Sequence, residues 1–259
     1  ETYQTTKECI DMDKRYLNTF TFPIEIYPTH YTLPVKVRDL YNVGIVREIG
    51  SNSEKEMTAA FYHAGFNTFD VHMNDIIKDP RILEYFNGLA FVGGFTYGDT
   101  FGAGKGWASV IKNNPELHNH FINFIKDPRK FSLGICNGAQ LMGELGMIPY
   151  RFIQNDSKRF ECRYTYVKIA KSHSPFLKDM AGSILGIYSA HGEGKAIKQT
   201  DSKCVALQYV NHRGIVTDKY PYNPNGSEYG ICGACSTSGR HLAIMPHPER
   251  RYLIGKNFF

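Results

Sequence analysis

The chain has 259 residues, 42% of them hydrophobic and 21% charged, with a formal net charge of +5. That composition excludes a disordered chain and allows a sizeable core, at a length suited to one large domain. Lys and Arg are scattered, without the basic run that marks nucleic-acid binding. No stretch approaches the roughly 18 apolar residues of a membrane span, and the opening ETYQTTKECIDMDKRY lacks the apolar centre of a secretory leader.

The first residue is Glu1 rather than Met, which reads as an interior position of a longer polypeptide. Residues 1–40, interrupted by Pro23, Pro28 and Pro34, read as an extended lead-in or linker from a preceding region, and 41–259 as the domain proper. Six cysteines occur, at positions 9, 136, 162, 204, 232 and 235. With a large core and no leader, reduced thiols in the cytoplasm are the expectation.

From Asn42 the pattern is regular. NVGIVRE, Asn42 to Glu48, reads as a strand. Ser51 and Glu54 fit a capping box ahead of a helix whose apolar face is Met57, Ala60, Phe61 and Ala64, with Gly65 as its stop. FNTFDVHM is a second strand, and GLAFVGG, Gly88 to Gly94, a third that runs into a glycine loop. Helices are expected around Trp107–Lys112 and Pro115–Lys126, then a fourth strand at Phe131–Ile135 that passes directly into a helix at NGAQLMGELG. Strands alternating with helices imply a mostly parallel sheet with helices on both faces. From Arg159 onward, strand-like segments joined by turns such as His212-Arg213-Gly214 and Ser238-Gly239 imply an added antiparallel layer.

The segment Gly134-Ile135-Cys136-Asn137-Gly138 sits at the strand-to-helix junction and is the thiol form of a nucleophile elbow. Such a turn projects the sulfur above the sheet edge, and residues two before and two after must be small. The helix start favours thiolate, and the Asn137 N–H is aimed at a developing oxyanion. A second donor is expected from Gly94, in the loop Val92-Gly93-Gly94-Phe95. Met245-Pro246-His247-Pro248-Glu249-Arg250 offers a base and its orienting acid two residues apart, hence on one side of an extended chain. A single Cys is ordinarily a small buried hydrophobe; the elbow and its PHPE partner favour catalysis for Cys136, His247 and Glu249. Cys232 and Cys235 have C-x-x-C spacing without a second pair, so core packing is the expectation and no metal site is assigned. For His191, structural and site-lining roles stand even.

These motifs resemble the class I, or triad, glutamine amidotransferases. Phe91-Val92-Gly93-Gly94-Phe95-Thr96-Tyr97-Gly98-Asp99 is more narrowly similar to the glutaminase region of large, single-chain phosphoribosylformylglycinamidine synthases. So are Gly102-Ala103-Gly104-Lys105-Gly106-Trp107-Ala108, Ala190-His191-Gly192-Glu193-Gly194 and Tyr220-Pro221-Tyr222-Asn223-Pro224-Asn225-Gly226-Ser227. Gly138-Ala139 departs from the family, which more often has cysteine after that glycine. The resemblance implies a flavodoxin-like α/β sandwich that hydrolyses glutamine through a Cys136 thioester and passes ammonia to a synthetase domain of the same polypeptide, in purine biosynthesis. It places substrate-binding or gating roles at Gly93, Phe95, Gln140, His191 and Glu193, with His191 and Glu193 facing the synthetase. ATP and Mg²⁺ are implied for the synthetase region and no cofactor for this one, which carries no phosphate-binding G-x-x-x-x-G-K-[ST] loop. An amidotransferase serving another acceptor, a silent scaffold domain and a cysteine peptidase of the same fold are the alternatives.

Overall fold

The computed structural model describes residues 41–200 and 204–251; the lead-in expected at 1–40 lies outside these described residues. The first half alternates strand and helix: β1 (Asn42–Arg47), α1 (Glu54–His63), β2 (Asn67–His72), α2 (Met73–Lys78), α3 (Ile82–Tyr85), β3 (Gly88–Phe91), α4 (Lys105–Lys112), α5 (Pro115–Lys126), β4 (Phe131–Ile135) and α6 (Asn137–Glu144). The second half is strands: β5 (Tyr150–Ile153), β6 (Glu161–Ile169), β7 (Ile184–His191), β8 (Lys195–Lys198), β9 (Val205–Val210), β10 (Ile231–Cys235) and β11 (His241–Ile244).

Nine of these strands form one sheet in the order β2-β1-β3-β4-β11-β10-β9-β6-β7, while β5 and β8 pair separately. The neighbours from β2 to β11 run parallel, and those from β11 to β7 antiparallel. The antiparallel strands therefore continue the parallel sheet edge to edge. The central strands β3 and β11 are buried at every position, as expected for strands covered on both faces. Cys232 and Cys235 lie in β10 as free, buried thiols, which agrees with the core reading.

β11, late in the chain, enters the middle of the sheet beside β4, with His241 opposite Ser132 and Ile244 opposite Ile135. The amide of Cys136 donates to the Ile244 carbonyl at 2.9 Å, so both strands end level. The sheet also curls back on itself. Its far strand β7 reaches the same end, where Tyr188 bridges His247 and its carbonyl accepts from the His247 amide at 2.7 Å. That contact covers part of an edge that would otherwise be open.

One expectation needs correcting. Ser51 does not cap α1: the helix starts after Ser53, and the Ser51 hydroxyl accepts from the Glu48 amide instead. Residues 50–52 are held by an antiparallel bridge to the glycine loop, with Asn52 donating to the Gly93 carbonyl and Phe95 to that of Gly50, which leaves Ser51 facing the wrong way. A capping box forms at α2, where His72 Nδ1 accepts from the Asn74 amide and the Asp75 carboxylate from the His72 amide. Gly65 does follow α1, with φ of 90°.

Candidate active site

Cys136 occupies the junction of β4 and α6 with φ of 51°, a conformation that costs a non-glycine residue about 1–2 kcal/mol. The flanking glycines make that turn possible. A Cβ on Gly138 would lie 2.1 Å from the Phe91 carbonyl oxygen, and one on Gly134 would lie 2.6 Å from the Gly138 carbonyl oxygen. Trp107 is fully buried and packs edge-on against Phe91 at 6.0 Å, while α4 packs against α6. The tryptophan-bearing segment thus supports the helix that begins at the elbow.

The short loop after β11 brings His247 to Gly93, where Cys136 is already a neighbour. A Cβ on Gly93 would lie 2.9 Å from His247 Cε1 and 3.5 Å from Cys136 Cβ, so only glycine leaves room there. His247 Nδ1 and Glu249 Oε1 are 2.6 Å apart, both side chains almost wholly buried. Burial by itself disfavours the imidazolium, but negative charge at Cys136 and the Glu249 carboxylate outweigh it and raise His247 to about 10. Cys136 Sγ lies 3.6 Å from the Ala190 carbonyl oxygen, and His247 Nε2 has no other hydrogen-bond partner among the described residues. The amides of Gly94 and Asn137 donate to no group of the described protein.

A cleft of about 160 Å³ opens beside the sulfur, walled by Gly94, Phe95, Gln140, His191, Glu193 and others. Gln140 is fixed at both ends: its Oε1 accepts from Asn137 Nδ2 at 3.0 Å and its Nε2 donates to the Glu193 carbonyl at 2.6 Å. Phe95 is exposed and leans on Phe160 at 5.8 Å, the two rings flanking the entrance. His191 is buried, with Nε2 2.6 Å from Asn225 Oδ1, and burial lowers it to about 4. The Glu193 carboxylate accepts from the Ala103 amide at 3.1 Å, joining this turn to the tryptophan-bearing segment.

Three participants escaped the sequence reading. Asp99 and Phe160 line the cleft; Phe160 sits in a loop, where no periodicity marks it, and the only signal for Asp99 was its place at the end of the Phe91–Asp99 motif. Asn225 holds His191, and its only signal was membership of the Tyr220–Ser227 motif. Among the described residues no cluster of His, Cys, Asp and Glu fits a metal ion, and no helix is long and apolar enough to cross a membrane.

Residues 41–256 match the CobB/CobQ-like glutamine amidotransferase domain. The chain belongs to this glutamine amidotransferase family. It is 41% identical to the probable phosphoribosylformylglycinamidine synthase, chloroplastic/mitochondrial, of Arabidopsis thaliana, over 98% of this chain and 20% of that protein. It is 42% identical to the phosphoribosylformylglycinamidine synthase of Dictyostelium discoideum, over 90% of this chain and 19% of the relative. The chain therefore spans about one fifth of the length of these curated relatives. Among solved structures, PurLQS from Thermotoga maritima superposes with a TM-score of 0.68 at 27% identity, covering 83% of this chain and 90% of that one. The mixed sheet, parallel through β4 and antiparallel beyond β11, is the amidotransferase architecture expected from the motifs.

Proposed function

We propose that this amidotransferase domain is the glutaminase of a phosphoribosylformylglycinamidine synthase, joined in one polypeptide to the ATP-dependent synthetase it supplies. The observation that carries the chemistry is the meeting of Cys136, the His247–Glu249 pair and two unengaged amides at the common end of β4 and β11. The choice of acceptor rests on the two synthase relatives, each about five times the length of the aligned region.

In this reading the Cys136 thiolate attacks the glutamine δ-carbonyl carbon. The Gly94 and Asn137 amides hold the oxyanion, a donor pair of the kind worth about 3 kcal/mol per donor. His247, having taken the thiol proton, gives it to the departing ammonia. It then draws a proton from the water that cleaves the thioester, releasing glutamate and regenerating the thiol. Glu249 orients the ring and stabilises its charged form. Gln140 and Phe95 shape the cleft, Gly93 makes room for the base, and His191 and Glu193 complete the cleft wall as gating or substrate-binding residues. Ammonia would travel unprotonated to formylglycinamide ribonucleotide activated by ATP and Mg²⁺ in the synthetase region. The free thiols suit a reducing compartment such as the cytoplasm; the Arabidopsis relative's name assigns that protein to organelles.

The test is ammonia release from glutamine by the intact polypeptide, with and without the synthetase substrates. Cys136→Ala is expected to lower release by about 10⁴-fold or more and to abolish labelling by a glutamine-analogue electrophile. Release or labelling that survives the substitution would overturn the assignment.

A further inference from the structure

The polar groups of the cleft are unevenly distributed. At the sulfur end stand the donors, the amides of Gly94 and Asn137. On the remaining wall stand acceptors. Asp99 enters from the loop after β3 and Glu193 from the turn after β7, and no Lys or Arg lines the cleft among the described residues. Asp99 Oδ1 accepts one long bond from Asn137 Nδ2, at 3.4 Å, and Glu193 Oε2 accepts from Ala103. Each carboxylate keeps its second oxygen without a protein partner.

His191 is an independent sign that this wall is built for a donor. Asn225 spends its amide N–H groups on the Gly194 carbonyl at 2.8 Å and the Tyr209 hydroxyl at 3.2 Å, so its oxygen faces the ring and His191 Nε2 must carry the proton. Nδ1 is then a bare acceptor, buried and unpartnered, on a side chain that lines the same cleft. Two free carboxylate oxygens and a bare imidazole nitrogen, with no cation among them, match a ligand group that is positively charged and rich in N–H.

We propose that Asp99, together with Glu193, selects glutamine by binding its α-ammonium group, so that the amide end of the substrate reaches Cys136. The assignment rests on the glutaminase reading above and names the residue that reads the amino-acid end of the substrate. Asp99 faces Glu193 from the turn after β7, His191 from β7 itself, and Asn137, Gln140 and Cys136 from the elbow and α6. Burial first and the Glu193 charge second push the empty-cleft Asp99 carboxyl up to about 6, against the Asn137 hydrogen bond. An arriving ammonium favours the ionised form. The KM for glutamine is therefore expected to rise as pH falls through about 6.

Asp99→Asn isolates the charge. Asparagine tolerates the left-handed φ of 52° and still offers an oxygen to Asn137. In the intact polypeptide, the KM for glutamine is expected to rise about tenfold or more, with kcat changing by less than about threefold. The inhibition constant of glutamine's des-amino analogue, 5-amino-5-oxopentanoate, is expected to stay within about twofold, because that ligand has no ammonium to lose. The acid-side rise in KM is expected to disappear. A KM within about twofold of the parent, or equal loss for glutamine and the analogue, would overturn the proposal. Cys136→Ala run in parallel separates the two levels. Activity that survives it sinks the glutaminase reading, whereas its loss beside an unmoved Asp99→Asn KM sinks only the role of Asp99.

Discussion

Cys136 and the Glu249 carboxylate favour the protonated form of the buried His247 ring, which gives it a distinct pH signature. Its folded value is raised to about 10 from the ordinary 6.5. The resulting stabilisation is complete below about 6.5, where the unfolded ring is charged too, and is lost as pH rises toward 10. Glu249→Gln keeps an acceptor for Nδ1 but removes one anion. Thermal melting of that variant is expected to vary less steeply between pH 6.5 and 10 than the parent's. Its kcat/KM is expected to fall about 100-fold at neutral pH. An unchanged melting slope would mean that Glu249 only orients the ring. The pairing was legible because both residues sit in short motifs with fixed spacing, Gly134–Gly138 and Met245–Arg250. Asp99 was legible only as the end of the Phe91–Asp99 motif and not as a cleft residue, because that depends on what the fold sets opposite it, here Glu193, which lies 94 positions later.

At the scale of elements, the elbow is a steric device. Gly138 lies against the Phe91 carbonyl with no space for a methyl group. Gly138→Ala is expected to destabilise the domain by about 3 kcal/mol, seen as a lower Tm, because either β3 or the elbow must move. Gly146, at φ of 71°, is the control, since a Cβ there would meet nothing within 4 Å. Its alanine variant is expected to carry only the backbone penalty of about 1–2 kcal/mol. Equal effects at both positions would remove the steric account. The alternation of strand and helix up to α6 could be read from short continuous apolar runs such as β1 and β3 and from helices such as α1 that bury residues about four apart. The capping of α1 could not. Whether Ser51 caps a helix depends on the bridge between residues 50–52 and the Gly93–Phe95 loop, a contact between segments far apart in sequence.

For the whole molecule, two buried neutral histidines set the acid limit. Burial lowers His191 and His241 to about 4, although Asn225 and the Ile125 carbonyl partly counter it. His241 ties β11 to β4 and α5, with Nδ1 2.8 Å from the Ser132 hydroxyl and Nε2 3.1 Å from the Ile125 carbonyl. A base depressed in this way contributes stability above its unfolded value of 6.5 and loses it as pH falls toward 4. Each is worth roughly 3 kcal/mol on that scale. Melting temperature is therefore expected to drop between pH 6.5 and 4, and His241→Asn to remove about half of that slope. A slope unchanged by the substitution would place the acid sensitivity elsewhere.

The insertion of β11 between β4 and β10 separates the two halves of the chemistry in time as well as in sequence. A polypeptide emerging from the ribosome completes the β4 turn and exposes its sulfur more than a hundred residues before the imidazole is synthesised. Until β11 slots into the centre of the sheet, the sulfur lacks the imidazole that stands beside it in the folded domain. The pairing of β11 with β4 is therefore the step that carries the imidazole to the sulfur.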